Sequence, residues 1–294
     1  MRLLIALILG SFFACSNPKQ SEENGDPLSG SFVIETDPSF LPIATVLSET
    51  YEGLYPLVNI RIDTIGGGNP YQRLVNKEVR MLVTAVKLTA NDSVALTQRG
   101  VFPKVSHFYN DALVLITKRS DDSVPRFPFT IRHESCFEFI NNLKPIKMRT
   151  DKAESENNRF LMGLLSDSCL IAWHYDATPS VVINETAADE NQVGVVSWNY
   201  LCERKSRVVK EIMERVSILP YLDSLSNPVY PSQSTIVTGQ YPLHRPVYMI
   251  TSEPYAGPAT GFAAWVASSE GQRVIRLFGA APVRIPPREI QIEN

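Results

Sequence analysis

Apolar and polar positions alternate along this chain in two rhythms, and the rhythms trade places at short intervals. A period of two marks strands and a period near three and a half marks helices. The stretch 31–36, SFVIET, reads as an apolar strand, and DPSFLPIATVLSETYEGLYP, 37–56, as a helix carrying Leu41, Ile43, Ala44, Val46 and Leu47. Asp37 is placed to cap that helix and Pro38 suits its first position, while Gly53 and Pro56 should end it. LVNIRIDTIG, 57–66, alternates as a second strand; Asn69 and Pro70 then open another helix. RMLVTAVKL, 80–88, is a third strand, followed by a short helix over 91–100 and a fourth strand over 111–119. Further helices are predicted over 131–143 and 154–167, strands over 193–201 and 245–251, and one long helix over 257–279 that stops at Gly279. Strand and helix in alternation imply α/β layers with mostly parallel sheets.

The first thirty residues follow another pattern. MRLLIALILGSFFAC has one Arg, a short apolar run and small residues, the form of a signal peptide. Its end, SFFAC, resembles a bacterial lipobox, which makes Cys15 the expected lipidation site; the plain alternative is an ordinary signal peptide with an incidental Cys. Residues 1–14 are then the lipoprotein signal peptide and 15–28 a polar tether to the membrane.

Composition narrows the function classes. The chain has 294 residues and a formal charge of −3, with no sizeable basic block, so nucleic acid is not an expected partner. Cys136, Cys169 and Cys202 show no metal-ligand spacing, so no metal is expected; which pair, if any, forms a disulfide stays open. The four histidines, His107, His133, His174 and His244, fall in no G-x-S-x-G or H-E-x-x-H motif. Neither an enzyme nor a cofactor is called for.

Ile62–Val75, IDTIGGGNPYQRLV, stands out. Three consecutive glycines precede a helix start, much as Thr36, Asp37 and Ser39 lead into the first helix. Helix starts present free N–H groups and positive partial charge, so two of them at neighbouring strand ends could face an anion in one crevice. A tight turn alone would also use Gly66, Gly67 and Gly68.

The C-terminal third favours the first reading. YPLHRPVYMIT (241–251), then GFAAWVASSEGQRVIRLFGAAPV (261–283), resembles the end of the periplasmic phosphate-binding proteins of ABC transporters, with VYPSQSTIVTGQ (229–240) leading into it. ENQVGVVSWNYL (190–201) and the opening strand, helix, strand and glycine loop are similar too, so the resemblance spans about 29–287. It implies a two-lobed periplasmic-binding-protein fold, type II-like, with two crossing segments, near 105–111 and 241–246. Lobe I would comprise 29–107 and 247–294, and lobe II 108–246. It implies an envelope lipoprotein, periplasm-facing or on the outer membrane, that captures phosphate or another small anion and delivers it to an ABC permease; the alternative is a diverged, non-transporting sensor or interaction protein. The ligand-binding residues it implies are Thr36, Asp37, Ser39, Gly66, Gly67, Gly68, Asn69, Thr84, Arg149, Ser155 and Asn157. Two departures stand against the family pattern. Thr84 and Ala85 occupy the place of its proton-accepting acidic residue, and 149–160, RTDKAESENNRF, lacks its Ser-Gly-Thr loop. Glu154 and Glu156 there would repel an anion, so an inward-facing glutamate is the discriminating observation.

Overall fold

The computed structural model describes residues 25–65, 69–120, 129–131, 137–139, 146–165 and 172–284. Its main sheet runs β2 (Val58–Thr64), β1 (Gly30–Thr36), β3 (Met81–Thr84), β13 (His244–Thr251), β4 (Lys104–Lys118), β9 (Gln192–Ser197), β7 (Lys147–Thr150) and β8 (Trp173–Tyr175). β1, β2 and β3 are parallel, as are β7, β8 and β9, while β13 and β4 run antiparallel to their neighbours. β4 is the hinge of this order. Its first part pairs with β13 and its second, Leu113–Thr117, with β9, so one long strand belongs to both halves of a two-lobed α/β fold. β10 (Val216–Ile218) and β14 (Ala281–Pro282) also pair with β4. A second sheet holds β5 (Phe129–Ile131), β6 (Phe137–Phe139), β11 (Tyr221–Leu222) and β12 (Pro228–Val229).

Burial explains the strands. Residues 112–116 of β4 and all six of β9 are buried, which suits strands covered on both faces. The helix α1 (Leu41–Leu54) buries Ile43, Ala44, Leu47 and Tyr51 on one face. Tyr51 meets Phe262 and Trp265 of α8 (Pro258–Ala267) at ring separations of 5.3 and 5.4 Å. α2 (Gln72–Val75) and α3 (Ala90–Gln98) cover a smaller apolar cluster around Leu74, Leu82 and Leu96. α4 (Glu156–Leu164), α5 (Pro179–Ala188) and α6 (Arg207–Arg215) belong to the other half, and α7 (Gln233–Val237) packs on β14 and β4.

Several expectations need correction. Where a helix is expected over 131–143, the described residues are strand: β5 and β6 pair antiparallel, with Phe129 opposite Phe139 and Ile131 opposite Phe137. The alternation Phe137–Glu138–Phe139 has the period of a strand, and Phe137 packs edge-on against Phe129. The long helix at 257–279 is two, α8 and α9 (Ser269–Phe278), broken where Ser268 turns extended at ψ 169° and caps α9 by accepting from the Gly271 amide. The helix after Asn69 is one turn long, and the Asn69 side chain accepts from the Tyr71 amide ahead of it without capping α2. The strand expected over 193–201 gives way at Trp198 to a 3-10 turn, Trp198–Tyr200.

Gly279 ends α9 as expected, at φ +107°. A Cβ there would fall 2.3 Å from the Cys202 carbonyl oxygen. Gly279→Ala should therefore cost roughly 2 kcal/mol, from left-handed backbone strain of about 1–2 kcal/mol plus the backbone clash. Urea unfolding of the two proteins measures it.

Candidate functional site

Four chain segments converge at the carboxyl ends of β1, β3 and β7. Asp37 follows β1 and caps the 3-10 turn Pro38–Phe40; its Oδ1 accepts from the Ser39 amide at 2.9 Å. Asp151 follows β7. Its Oδ1 accepts from Ser155 Oγ at 2.5 Å, and its Oδ2 from Asn157 Nδ2 at 3.0 Å. Ser155 caps α4 by accepting from the Asn158 amide. This places the first residue of α4, Glu156, against β3.

Glu156 is the centre of the site. Its Oε1 accepts from Thr84 Oγ1 at 2.5 Å and its Oε2 from the Ala85 amide at 2.6 Å. Its own amide donates to Asp37 Oδ2 at 3.0 Å. Ser39 Oγ donates to Asp151 Oδ2 at 3.4 Å. The two halves of the molecule are thus joined by carboxylates of the chain itself. Thr84, Ser39 and Asn157 are fully buried, so these bonds lie out of water.

Behind this seam sits Arg245 of β13, 1 % exposed. Its Nε and Nη2 donate to Asp111 Oδ2 at 3.1 and 2.8 Å, its Nη1 to the Glu156 carbonyl, and its Nη2 also to Asn157 Oδ1 at 2.6 Å. The guanidinium lies over Phe40 and Phe160, at 4.9 and 5.6 Å from their ring centres. Asp111 also accepts from Ser197 Oγ, and Asn199 binds Tyr109, Ser197 and the Ser39 carbonyl, tying β9's end to the first half.

The charge balance is acidic. Asp37, Asp111, Asp151 and Glu156 gather around Arg245. Burial, then the charge of Asp37, pushes the Glu156 carboxyl up to about 7 against the donors Thr84, Ala85 and Arg245. The same two causes push Asp151 up to about 6, against Ser155, Arg245 and Thr150. The open space left between Asp37, Pro38, Asp151 and Ser155 is about 10 Å³. That is the margin of a single water.

Of the residues implied by sequence, Asp37, Ser39, Thr84, Ser155 and Asn157 are brought together here. Thr36 stands just behind them; its hydroxyl donates to the Val83 carbonyl. Asn69 is exposed and engaged locally with Tyr71. Arg149 is elsewhere: it pairs with Asp176 through Nε and Nη2 at 2.9 and 2.6 Å, and its Nη1 donates to Gln192, so its guanidinium braces β7 against its neighbours. Gly66, Gly67, Gly68, Cys15, Cys136 and Cys169 lie outside the described residues. Cys202 is buried as a free thiol. Glu154 is exposed, while Glu156 points inward. Asp111, Asp151 and Arg245 belong to the site without being among the residues that the resemblance implies. The one signal for Arg245 is its place in YPLHRPVYMIT, a stretch that carries the resemblance.

Comparison places the fold. The chain matches the family model for the PBP superfamily domain over residues 21–270, and it belongs to that superfamily, a class of binding rather than catalytic proteins. No curated protein matches it. Among solved structures it is similar to an ABC-type phosphate transport receptor from Vibrio cholerae, with 16 % identity and TM-score 0.60 over 86 % of this chain and 100 % of that one. A protein assigned as a phosphate ABC transporter substrate-binding protein from Clostridium perfringens, solved with bound phosphate, gives 16 % identity and TM-score 0.63 over 87 % of this chain and 100 % of that one. The reduced OxyR regulatory domain from Pseudomonas aeruginosa, at 8 % identity, gives 0.55 over 82 % and 99 %. Transport receptors and a regulator share this fold, so fold does not choose between them. Among the described residues no helix is long and apolar enough to cross a membrane.

Proposed function

We propose that this chain is a binding-protein relative of the bacterial envelope that acts as a sensor or interaction protein and does not capture free phosphate in the form described. One observation carries the reading: the seat that would hold an oxyanion, Thr84 Oγ1 and the Ala85 amide, is filled by the Glu156 carboxylate. The other donors along the seam are also taken. The amides of Ser39 and Glu156 go to Asp37, and Ser39 Oγ and Asn157 Nδ2 go to Asp151. An incoming phosphate would have to displace one carboxylate and lie beside two more, and like charge opposes that.

Within this reading lobe I comprises 29–107 and 247–294, and lobe II 108–246. Cys15 carries the lipid anchor, and residues 15–28 tether the lobes to the periplasmic or outer-membrane surface. An ABC permease is then not an obligatory partner. The second reading, capture of a small oxyanion for a permease, draws on the similarity to the phosphate transport receptor and on the oxyanion-shaped seat itself. Calorimetry of the soluble part with phosphate and sulfate separates the two. The expected result is no binding tighter than a Kd of about 1 mM, a free energy of roughly −4 kcal/mol. Micromolar phosphate binding would restore the second reading.

A further inference from the structure

We infer that Glu156 is a tethered internal ligand, and that the cleft is held closed by the chain's own carboxylate with no ligand required. The inference rests on the reading of a self-occupied cleft and adds what that occupancy does.

Relatives of this architecture close two lobes around a ligand by a hinge motion, and the ligand's contacts to both sides supply the closure energy. Here one residue makes contacts of that kind. The Glu156 side chain takes two donors from the end of β3, in the half built on β1 to β3. Its backbone belongs to α4, in the half built on β7 to β9, and its amide donates back to Asp37 after β1. Its carbonyl is held by Arg245 from behind. Side chain, amide and carbonyl of a single residue are therefore bonded to three other segments. Ser39 with Asp151, and the Tyr200 hydroxyl with the Pro38 carbonyl at 2.8 Å, close the same seam on either side.

A covalently tethered carboxylate is always present at high effective concentration, so it competes with any dissolved oxyanion. The closed arrangement of the two halves becomes the resting state. Whatever surface the closed form presents is displayed without a signal, and the event that changes it is withdrawal of α4's first turn from β3. This fits a protein read by a partner better than one that reports a dissolved nutrient.

The test is amide exchange at Ala85, whose N–H is covered by Glu156, in the wild type and Glu156→Ala. Loss of a hydrogen bond to a charged acceptor should speed that amide by about tenfold or more. Excess sodium acetate should slow it again in the variant, because acetate can refill the seat, and should leave the wild type unchanged. Exchange at Ala85 that is equal in both proteins overturns the internal ligand, as does a fast variant that acetate does not slow. Should Glu156→Ala fold poorly, Thr84→Val removes one seat donor and keeps every charge; the Ala85 amide should again exchange faster, and an unchanged rate overturns the proposal. These outcomes are independent of phosphate calorimetry. Tight phosphate binding by the wild type would sink the proposed function, even if Ala85 were protected by Glu156 in its absence.

Discussion

Arg245→Met should destabilise the protein by about 3–5 kcal/mol, the range for removing one partner of a buried ion pair. At roughly 2–4 °C per kcal/mol for a domain of this size, Tm should fall by about 6–20 °C. The cause is Asp111. It is fully buried, and burial already raises its pKa, with the Arg245 charge the largest opposing influence. Among the described residues it then keeps Ser197, Asn199 and the Ala112 backbone as donors. The Glu156 carbonyl and Asn157 Oδ1 lose their donor as well, which loosens the first turn of α4. Methionine fills much of the space between Phe40 and Phe160, so the loss is electrostatic more than a cavity effect. A second substitution tests that attribution. Asp111→Leu combined with Arg245→Met removes both charges and should recover a large part of the loss. Differential scanning calorimetry of the three proteins measures it; a double variant no better than the single one would contradict the account.

Much of the fold is legible in the sequence because the signals are local. Gly279 past the last helix acts within one turn and sits where its residue type places it, whereas Asp37-Pro38 start a 3-10 turn ahead of α1, and Gly53 lies inside α1, which ends at Leu54 just before Pro56. The failures have local causes too. Phe137–Glu138–Phe139 is too short for its period of two to overrule a helical reading of its flanks, and Phe129, the partner of Phe139, is ten residues away. Ser268-Ser269-Glu270 lies inside an apolar helical pattern, yet it restarts the helix with a new cap. The site was half legible. Thr84, Ser155 and Asn157 are among the residues that the resemblance implies, although both stretches depart from the family pattern. What no local pattern reveals is that a carboxylate at 156 turns towards residues 84 and 85, more than seventy positions earlier. Charge alone suggested repulsion. The three-dimensional arrangement replaces repulsion by occupation: the glutamate that would exclude an anion takes its place.

That occupation has a pH signature. Glu156 has an ordinary pKa of 4.5 and is raised to about 7 in the folded protein; Asp151 goes from 3.8 to about 6. Below about pH 3 both groups are largely protonated in the folded and unfolded chain, so neither biases folding. Between about pH 4 and pH 7 the folded protein holds protons that the unfolded chain has released, so stability falls as pH rises. Above pH 7 the full penalty of two buried charges beside Asp37 is present. At about 1.4 kcal/mol per pKa unit the loss across the window is on the order of 3 kcal/mol for each group, roughly 6 kcal/mol for the two. Glu35 and Asp111 are also raised, first by burial, and act in the same direction. Asp63, Asp92, Asp189 and Asp223 are lowered and act oppositely, but their contribution is lost only as pH falls below about 4, outside this window. The expected result is greater stability in urea at pH 5 than at pH 8. Glu156→Gln, which cannot titrate, should flatten the upper part of the curve, from about pH 6 to pH 8, and leave the lower part to Asp151. A wild type that gains stability steadily from pH 5 to pH 8 would show that the seam holds its carboxylates without strain, and that Glu156 rests in its seat as a fully ionised ligand.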